Sequence, residues 1–272
     1  MNPHRLIVRA VAGAALVAAF AATPARAEFG TTNLQLLQGY SFDDNLLGYN
    51  TNSGAMTTLT LNHFSTWKYG DNFAFVDMQR GVFRDGGDGA TSQRALIYAE
   101  VHPRLFLNKL LGLPAGGFVK NWGLAGEVNQ TAGFYAYLGG LGLDLAIPGF
   151  QVAGLNLFYR YDWVQANVPF GTAYTNTWQI SPYWDVPFKI GPTSWSFNGF
   201  VDITTNHDKK LDIMAQPELL LDVGAFAGSP GQLHVGVEWY VHSYRNFVDD
   251  KTKTVSAPQV MVQWTPFTQF VP

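Results

Sequence analysis

The sequence predicts an all-β fold, a transmembrane antiparallel β-barrel of twelve strands, and three observations point to it. An export leader opens the chain. Apolar residues recur at every second position through most of the remainder. Charge is scarce while aromatics and glycines are plentiful: 14% of residues are charged, 15% are aromatic and 28 are Gly, against about 25% charged in soluble domains.

The leader is read from Arg5 and Arg9, the uncharged apolar stretch Ala10 to Ala22, and Ala25-Arg26-Ala27. Small residues at −3 and −1 suit a signal peptidase cutting after Ala27. The apolar stretch falls short of the ~20 residues a spanning helix needs. Residues 1–27 are therefore expected to be a signal peptide and 28–272 the barrel. Removing Arg5, Arg9 and Arg26 from the 17 basic residues leaves 14 against 20 acidic, a net charge of about −6. That balance argues against nucleic acid as a partner. The chain has no cysteine, so disulfides do not staple this exported protein.

No apolar run of spanning length follows the leader. The longest uncharged segment, Trp163 to Trp184, is rich in Gln, Asn, Thr and Ser and cannot be a lipid-facing helix. Only helices and closed barrels cross a bilayer with their backbone groups satisfied, and a barrel needs segments of about ten residues alternating with a period of two.

Twelve such segments are found, at about 33–42, 56–68, 72–83, 94–107, 119–131, 133–146, 151–165, 172–186, 193–205, 211–223, 232–245 and 255–267. In the penultimate one Leu233, Val235, Val237, Trp239 and Val241 oppose His234, Gly236, Glu238, Tyr240 and His242. In 211–223 Leu211, Ile213, Ala215, Pro217, Leu219 and Leu221 oppose Asp212, Met214, Gln216, Glu218 and Asp222. An even count leaves both termini in the periplasm. Lys68-Tyr69-Gly70-Asp71, Pro148-Gly149, Gly191-Pro192 and Ser229-Pro230-Gly231 carry turn chemistry. Asp43–Ala55, Arg84–Gln93 and Asn246–Thr254 read as longer extracellular loops. Asn108 to Phe118 falls on the periplasmic side yet is long.

A soluble barrel would alternate too, with its apolar residues inside. The leader argues against it. So do the aromatics Trp67, Tyr69, Trp122, Trp163, Tyr174, Trp178, Trp184, Trp195, Trp239 and Trp264, which fall mostly near segment ends as interfacial girdles do. The barrel is accordingly expected in outer-membrane lipid of a bacterial cell.

Three stretches carry a resemblance: Trp67 to Asp77 (WKYGDNFAFVD), Tyr98 to Leu105 (YAEVHPRL) with Asn108-Lys109-Leu110, and Phe158 to Trp163 (FYRYDW). They resemble the nucleoside-specific channel-forming outer-membrane porins, the Tsx/OmpK group. The resemblance implies a monomeric twelve-stranded barrel and a narrow lumen whose aromatic and ionisable side chains hold nucleosides weakly in passing. The terminal Pro272 and the short outer loops depart from the family's pattern and bear on strict nucleoside selectivity.

Parity supplies the candidate pore-lining and solute-binding residues: Phe75, Asp77, Tyr98, Glu100, Arg104, Glu127, Phe158, Arg160, Asp162, Phe200, Asp202, Glu218, Glu238 and Tyr240. His102 and Asp222 share that inward parity. Rings stack on a base at about 1–3 kcal/mol each, and carboxylates and Arg hydrogen-bond sugar hydroxyls. Each charge can equally belong to an ionic network that fills the interior. Glu100 and Arg104 lie about 13 Å apart along one strand, so each needs a partner from a neighbour, with Asp77 and Arg160 as candidates.

No cofactor or metal is expected: six His and no Cys offer no zinc spacing. No enzyme is expected either, since Ser196 and Ser243 carry no hydrolase motif. Asp85-Gly86-Gly87-Asp88-Gly89 reads as a loop tip. The sequence thus points to a passive channel for nucleosides or similar small polar solutes. The alternative is a barrel that presents a receptor surface, for instance to phage, with little or no conductance.

Overall fold

The computed structural model describes residues 28–40, 42, 55–85, 90–164, 173–205, 209–245 and 250–270. The expected leader with its cleavage point at Ala27, nearly all of the Asp43–Ala55 loop, residues 86–89 and 246–249, and the terminal Val271-Pro272 lie outside the described residues.

The strands are β1 (Phe29–Tyr40), β2 (Ala55–Trp67), β3 (Gly70–Asp85), β4 (Ala90–Phe106), β5 (Val119–Thr131), β6 (Phe134–Leu145), β7 (Val152–Val164), β8 (Ala173–Ile190), β9 (Thr193–Thr205), β10 (Leu211–Ala215), β11 (Glu218–Asp222), β12 (Leu233–Arg245) and β13 (Thr252–Phe270). Every neighbouring pair is antiparallel, and β1 closes on β13 from Phe29↔Phe270 to Gly39↔Gln259. β10 and β11 lie end to end between β9 and β12. They form one stave of a closed twelve-stave barrel.

That broken stave was expected to run unbroken through 211–223. Pro217 explains the interruption, because it has no N–H to give to a ladder. The Gln216 N–H still reaches Phe200 O at 3.2 Å, and the Trp239 N–H reaches Pro217 O at 2.9 Å. Opposite the break, Gly199 adopts φ +146°, and a side chain there would meet Gln216 O at 2.6 Å. The β3–β4 hairpin departs the other way. Its ladder continues to Asp85↔Ala90, through residues expected to be loop, since a strand rising past the lipid no longer needs an apolar face.

The long connector after β4 folds around a helical turn, α1 (Leu107–Leu110). Asn108 is buried, and its Oδ1 accepts the Trp122 N–H at 3.0 Å. This contact pins the connector under β5.

The side-chain distribution decides between membrane and soluble barrels. Glu218, Glu238 and Gln259 are ladder partners on β11, β12 and β13, as are Leu219, Val237 and Val260 one position along. Leu219 is 42% exposed and Val237 38%, whereas Glu238 is 8% exposed. The apolar parity faces outward and the polar parity inward, the inverse of a soluble barrel. With every stave paired there is no open edge to expose to lipid. The barrel spans a membrane.

Trp67, Trp122, Trp195 and Trp264 fall within a few residues of the end that carries both termini, and Trp163 lies near the other. Trp239 instead sits mid-strand, where its Nε1–H donates to Ser256 Oγ at 2.8 Å. That bond satisfies its polar tip at depth.

Candidate functional site

The period of two places all fourteen candidates on the inward face. What each does there depends on its neighbours, and the interior divides into two halves of different chemistry.

On the wall formed by β3 to β9 the charged groups are joined in hydrogen-bonded networks. Near the terminal end, Arg104 donates Nε–H to Asp71 Oδ1 at 2.7 Å and Nη2–H to Asp71 Oδ2, a two-pronged pairing. Its Nη1 reaches Asp144 Oδ1 at 2.8 Å and also Tyr183 OH. Asn121 Nδ2 donates to the other Asp144 oxygen at 2.8 Å. Gly154 makes this possible, because a Cβ there would collide with the Tyr183 hydroxyl. One guanidinium thus ties β3, β4, β6 and β8 together. The expected pairing of Arg104 with Asp77 does not occur. Asp77 instead accepts a hydrogen bond from Thr60 Oγ1 at 2.6 Å, since the β2–β3 register sets the two directly opposite.

At mid-height, Tyr98, Glu100 and His102 of β4 line one face. Tyr98 OH donates to Glu100 Oε1. His102 Nε2 lies 2.7 Å from Glu100 Oε2, and Nδ1 lies 3.4 Å from Glu127 Oε2 of β5. Arg160 was expected to partner Glu100. Its Nε instead donates to Asp162 Oδ1 at 2.8 Å and its Nη1 to Gln179, while its charge acts on Glu127 and Tyr98. A relay continues through Gln179 Nε2 to Ser181 Oγ (2.9 Å) and Ser181 Oγ to Asp202 Oδ1 (2.6 Å). Asp202 faces Glu100 and His102 across the bore.

The wall of β1 and β10 to β13 is layered differently. Leu37, Met261, Gly236 and Leu220 form one row of ladder partners, and their side chains pack together. The next row is Gly39, Gln259, Glu238, Glu218 and Asn198. Gln259 Nε2 donates to Glu238 Oε1 at 2.7 Å. Glu218 and Asp77 act on Glu238 as like charges. Above it lies an apolar layer of Phe42, Met56, Tyr240, Tyr244, Val255 and Ala257, in which the Phe42 and Tyr240 rings lie 5.4 Å apart. His242, at the same end, pairs with Asp212 at 2.9 Å.

The aromatic candidates also differ from one another. Phe75 and Tyr98 form a ring pair at 5.9 Å, and Phe73 meets His102 at 5.5 Å. Phe158 packs against the wall with Ala125, Ala136 and Leu138, and Phe200 lies half-buried on β9. Asp222, given by parity as an interior charge, accepts the N–H groups of Ala225 (3.0 Å) and Gly231 (2.9 Å). It holds the turn after β11 and is not free for solute.

Asp71, Asp144, Tyr183 and Gln179 were not singled out from sequence. Parity carried the signal for all four. Asp71 was absorbed into a turn motif, and Asp144 sits at the end of a glycine-rich strand.

Neither serine considered for hydrolysis has the required partner. Ser196 Oγ donates to Asp185 Oδ1 at 2.5 Å, and Ser243 Oγ lies 3.1 Å from Thr254 Oγ1. Neither is hydrogen-bonded to a histidine among the described residues.

A closed barrel with lipid-facing aliphatic rows and a polar interior belongs to an outer membrane. The chain is a bacterial outer-membrane β-barrel. No protein-family model and no curated protein matches it. Among solved structures it is similar to the NanC porin in a rhombohedral crystal form, at 12% identity over 85% of this chain and 98% of the other, with a TM-score of 0.47. It is also similar to the KdgM porin in complex with disordered oligogalacturonate, at 9% identity over 86% and 98% with a TM-score of 0.44. A third is the β domain of the Bordetella autotransporter BrkA, at 8% identity over 87% and 99% with a TM-score of 0.40.

Proposed function

We propose that this protein is a passive channel for nucleosides or similar small polar solutes. The observation that carries the reading is the inward face of β3 and β4, where rings alternate with ionisable groups along the bore. Phe73, Phe75 and Tyr98 share that face with Asp77, Glu100, His102 and Arg104. A nucleoside offers a neutral flat base and a polyhydroxy sugar. Rings can take the first, and carboxylate and guanidinium the second. Contacts spread over several weak sites favour passage over retention. As the solute-contact set we retain Phe75, Asp77, Tyr98, Glu100, Arg104, Glu127, Arg160, Asp162, Asp202, Glu218, Glu238 and Tyr240, with Phe158 and Phe200 supporting the wall. A monomer needs no partner subunit to complete this bore.

The test is conductance of the purified barrel in planar bilayers, with and without adenosine. Open channels blocked by adenosine at about millimolar levels or below support the reading. Channels insensitive to it, with liposome swelling equal for nucleosides and sugars of like size, remove the selectivity.

A second reading is favoured by one specific observation. Leu37, Leu220, Met261, Tyr240 and Tyr244 are each at most 4% exposed inside the barrel, so one wall is packed as a core. A barrel serving as a receptor surface, phage being one such partner, would need no bore. An absence of conductance would favour it.

A further inference from the structure

We propose that Glu100, His102 and Glu127 form a binding site for a divalent transition-metal ion halfway along the barrel interior. One imidazole nitrogen and one carboxylate oxygen from each glutamate lie within 4.8 Å of one another. An ion bound at about 2.0–2.2 Å from each would set neighbouring donors roughly 3–3.5 Å apart; the glutamates here meet different ring nitrogens, Glu100 at Nε2 and Glu127 at Nδ1, so one carboxylate must swing to share the ligating nitrogen. The strands supply the set without strain. Glu100 and His102 are two apart on β4 and share a face, and Glu127 projects from the adjacent strand β5.

Charge points the same way. Glu100, Glu127 and Asp202 gather at this level of the bore, with Arg160 as the nearby guanidinium. With His102 neutral, as a metal ligand must be, carboxylates outnumber that cation, an imbalance that a dication offsets. The surroundings also orient the ligands as outer contacts of metal sites do. Tyr98 OH fixes one oxygen of Glu100, leaving the other toward His102. The imidazole selects the class, because zinc, cobalt, nickel and copper accept nitrogen with oxygen, whereas calcium and magnesium want oxygen alone. The rival occupant is a proton on His102, shared between the two glutamates. Three protein ligands leave a coordination position open to the bore, where water or a passing solute can bind.

The inference does not rest on the channel reading, and conductance experiments leave it untouched. The experiment titrates the refolded full barrel in detergent with Co2+ and Zn2+. The expected result is one Co2+ per chain with visible d–d absorption, displaced by Zn2+ and unaffected by excess Ca2+. Glu100→Gln, His102→Gln and Glu127→Gln should each weaken Zn2+ binding at least tenfold. Absence of stoichiometric binding overturns the proposal. So does binding unchanged in H102Q and E127Q, which would place the ion elsewhere, for instance at His242 and Asp212. X-ray absorption of Zn2+ on the unmodified protein gives an answer even if a variant fails to fold. One imidazole with oxygen neighbours is expected, and an all-oxygen or two-imidazole shell refutes the site.

Discussion

Replacing Arg104 with Met tests whether the barrel interior behaves as dry protein or as a wetted bore. The side chains of Arg104, Asp71 and Asp144 are 10%, 6% and 20% exposed. Removing the guanidinium strands two carboxylates. Asp144 keeps Asn121 and Tyr183, so the larger penalty falls on Asp71, which loses both prongs. Breaking a buried pair from one side costs about 3–5 kcal/mol. At roughly 4 kcal/mol the unfolding equilibrium shifts by nearly three decades. With m of about 2–3 kcal/mol/M, the urea midpoint should fall by about 1.3–2 M. Reversible urea unfolding of the barrel in detergent or bilayers, followed by tryptophan fluorescence, measures it. Arg104→Lys keeps the charge but not the fork and should lose about 1–2 kcal/mol. Adding Asp71→Asn to the Met variant should recover about half the loss. If the Met variant loses no more than the ~1 kcal/mol of a solvated ion pair, water screens the network and the Arg104–Asp71 pair is not buried.

Val237→Lys places a charge on the lipid face among Leu219 and Val260 and should cost about 2–4 kcal/mol in bilayer folding assays; a neutral result would mean that this face meets water. Gly199→Ala, at φ +146° and against Gln216 O, should lower stability by about 1–3 kcal/mol, whereas an unchanged urea midpoint would show that the broken stave relaxes freely. Asp250, outside the strands, is held below the usual carboxylate range by hydrogen bonds from Arg245 and then Lys210. A depressed folded value means that its pairing contributes above the unfolded pKa of about 3.9 and fades as pH falls through the lower folded one. Carboxyl NMR should find Asp250 still ionised at about pH 3, below that reference. Because the pair is exposed, Asp250→Asn should lower the urea midpoint at neutral pH only slightly.

The staves were legible because the membrane imposes a rule on every second residue. Each segment in lipid needs an oily face, and Leu219/Glu218 or Val237/Glu238 announce it locally. The break at Gln216-Pro217 was also written in the sequence. Leu211 to Leu221 keeps its alternation across the proline, and alternation was read where ladder chemistry should have been. Partners were the illegible part. Parity says that Arg104 points inward, but Asp71, Asp144 and Tyr183 reach it from three other staves through registers that no local pattern encodes. The Glu100–His102–Glu127 cluster escaped for the same reason. Spacing searches look along one chain segment, whereas this set needs β4 and β5 side by side.

The two walls of the interior differ in a way that stability alone does not explain. On the β3–β9 side every carboxylate named above meets an arginine, a histidine or a hydroxyl. On the other side Glu218 and Glu238 stand directly opposite each other on adjacent staves, an arrangement that costs stability when both are charged. They do so between two apolar layers. A row that conflicts with its own surroundings is where selection for something other than folding is expected to act. Here that row places acceptor oxygens between the packed Leu37, Met261 and Leu220 on one side and Phe42 and Tyr240 on the other. On the channel reading proposed above, the acidic row and the ring-and-charge face of β3 and β4 would be the two walls between which a solute passes.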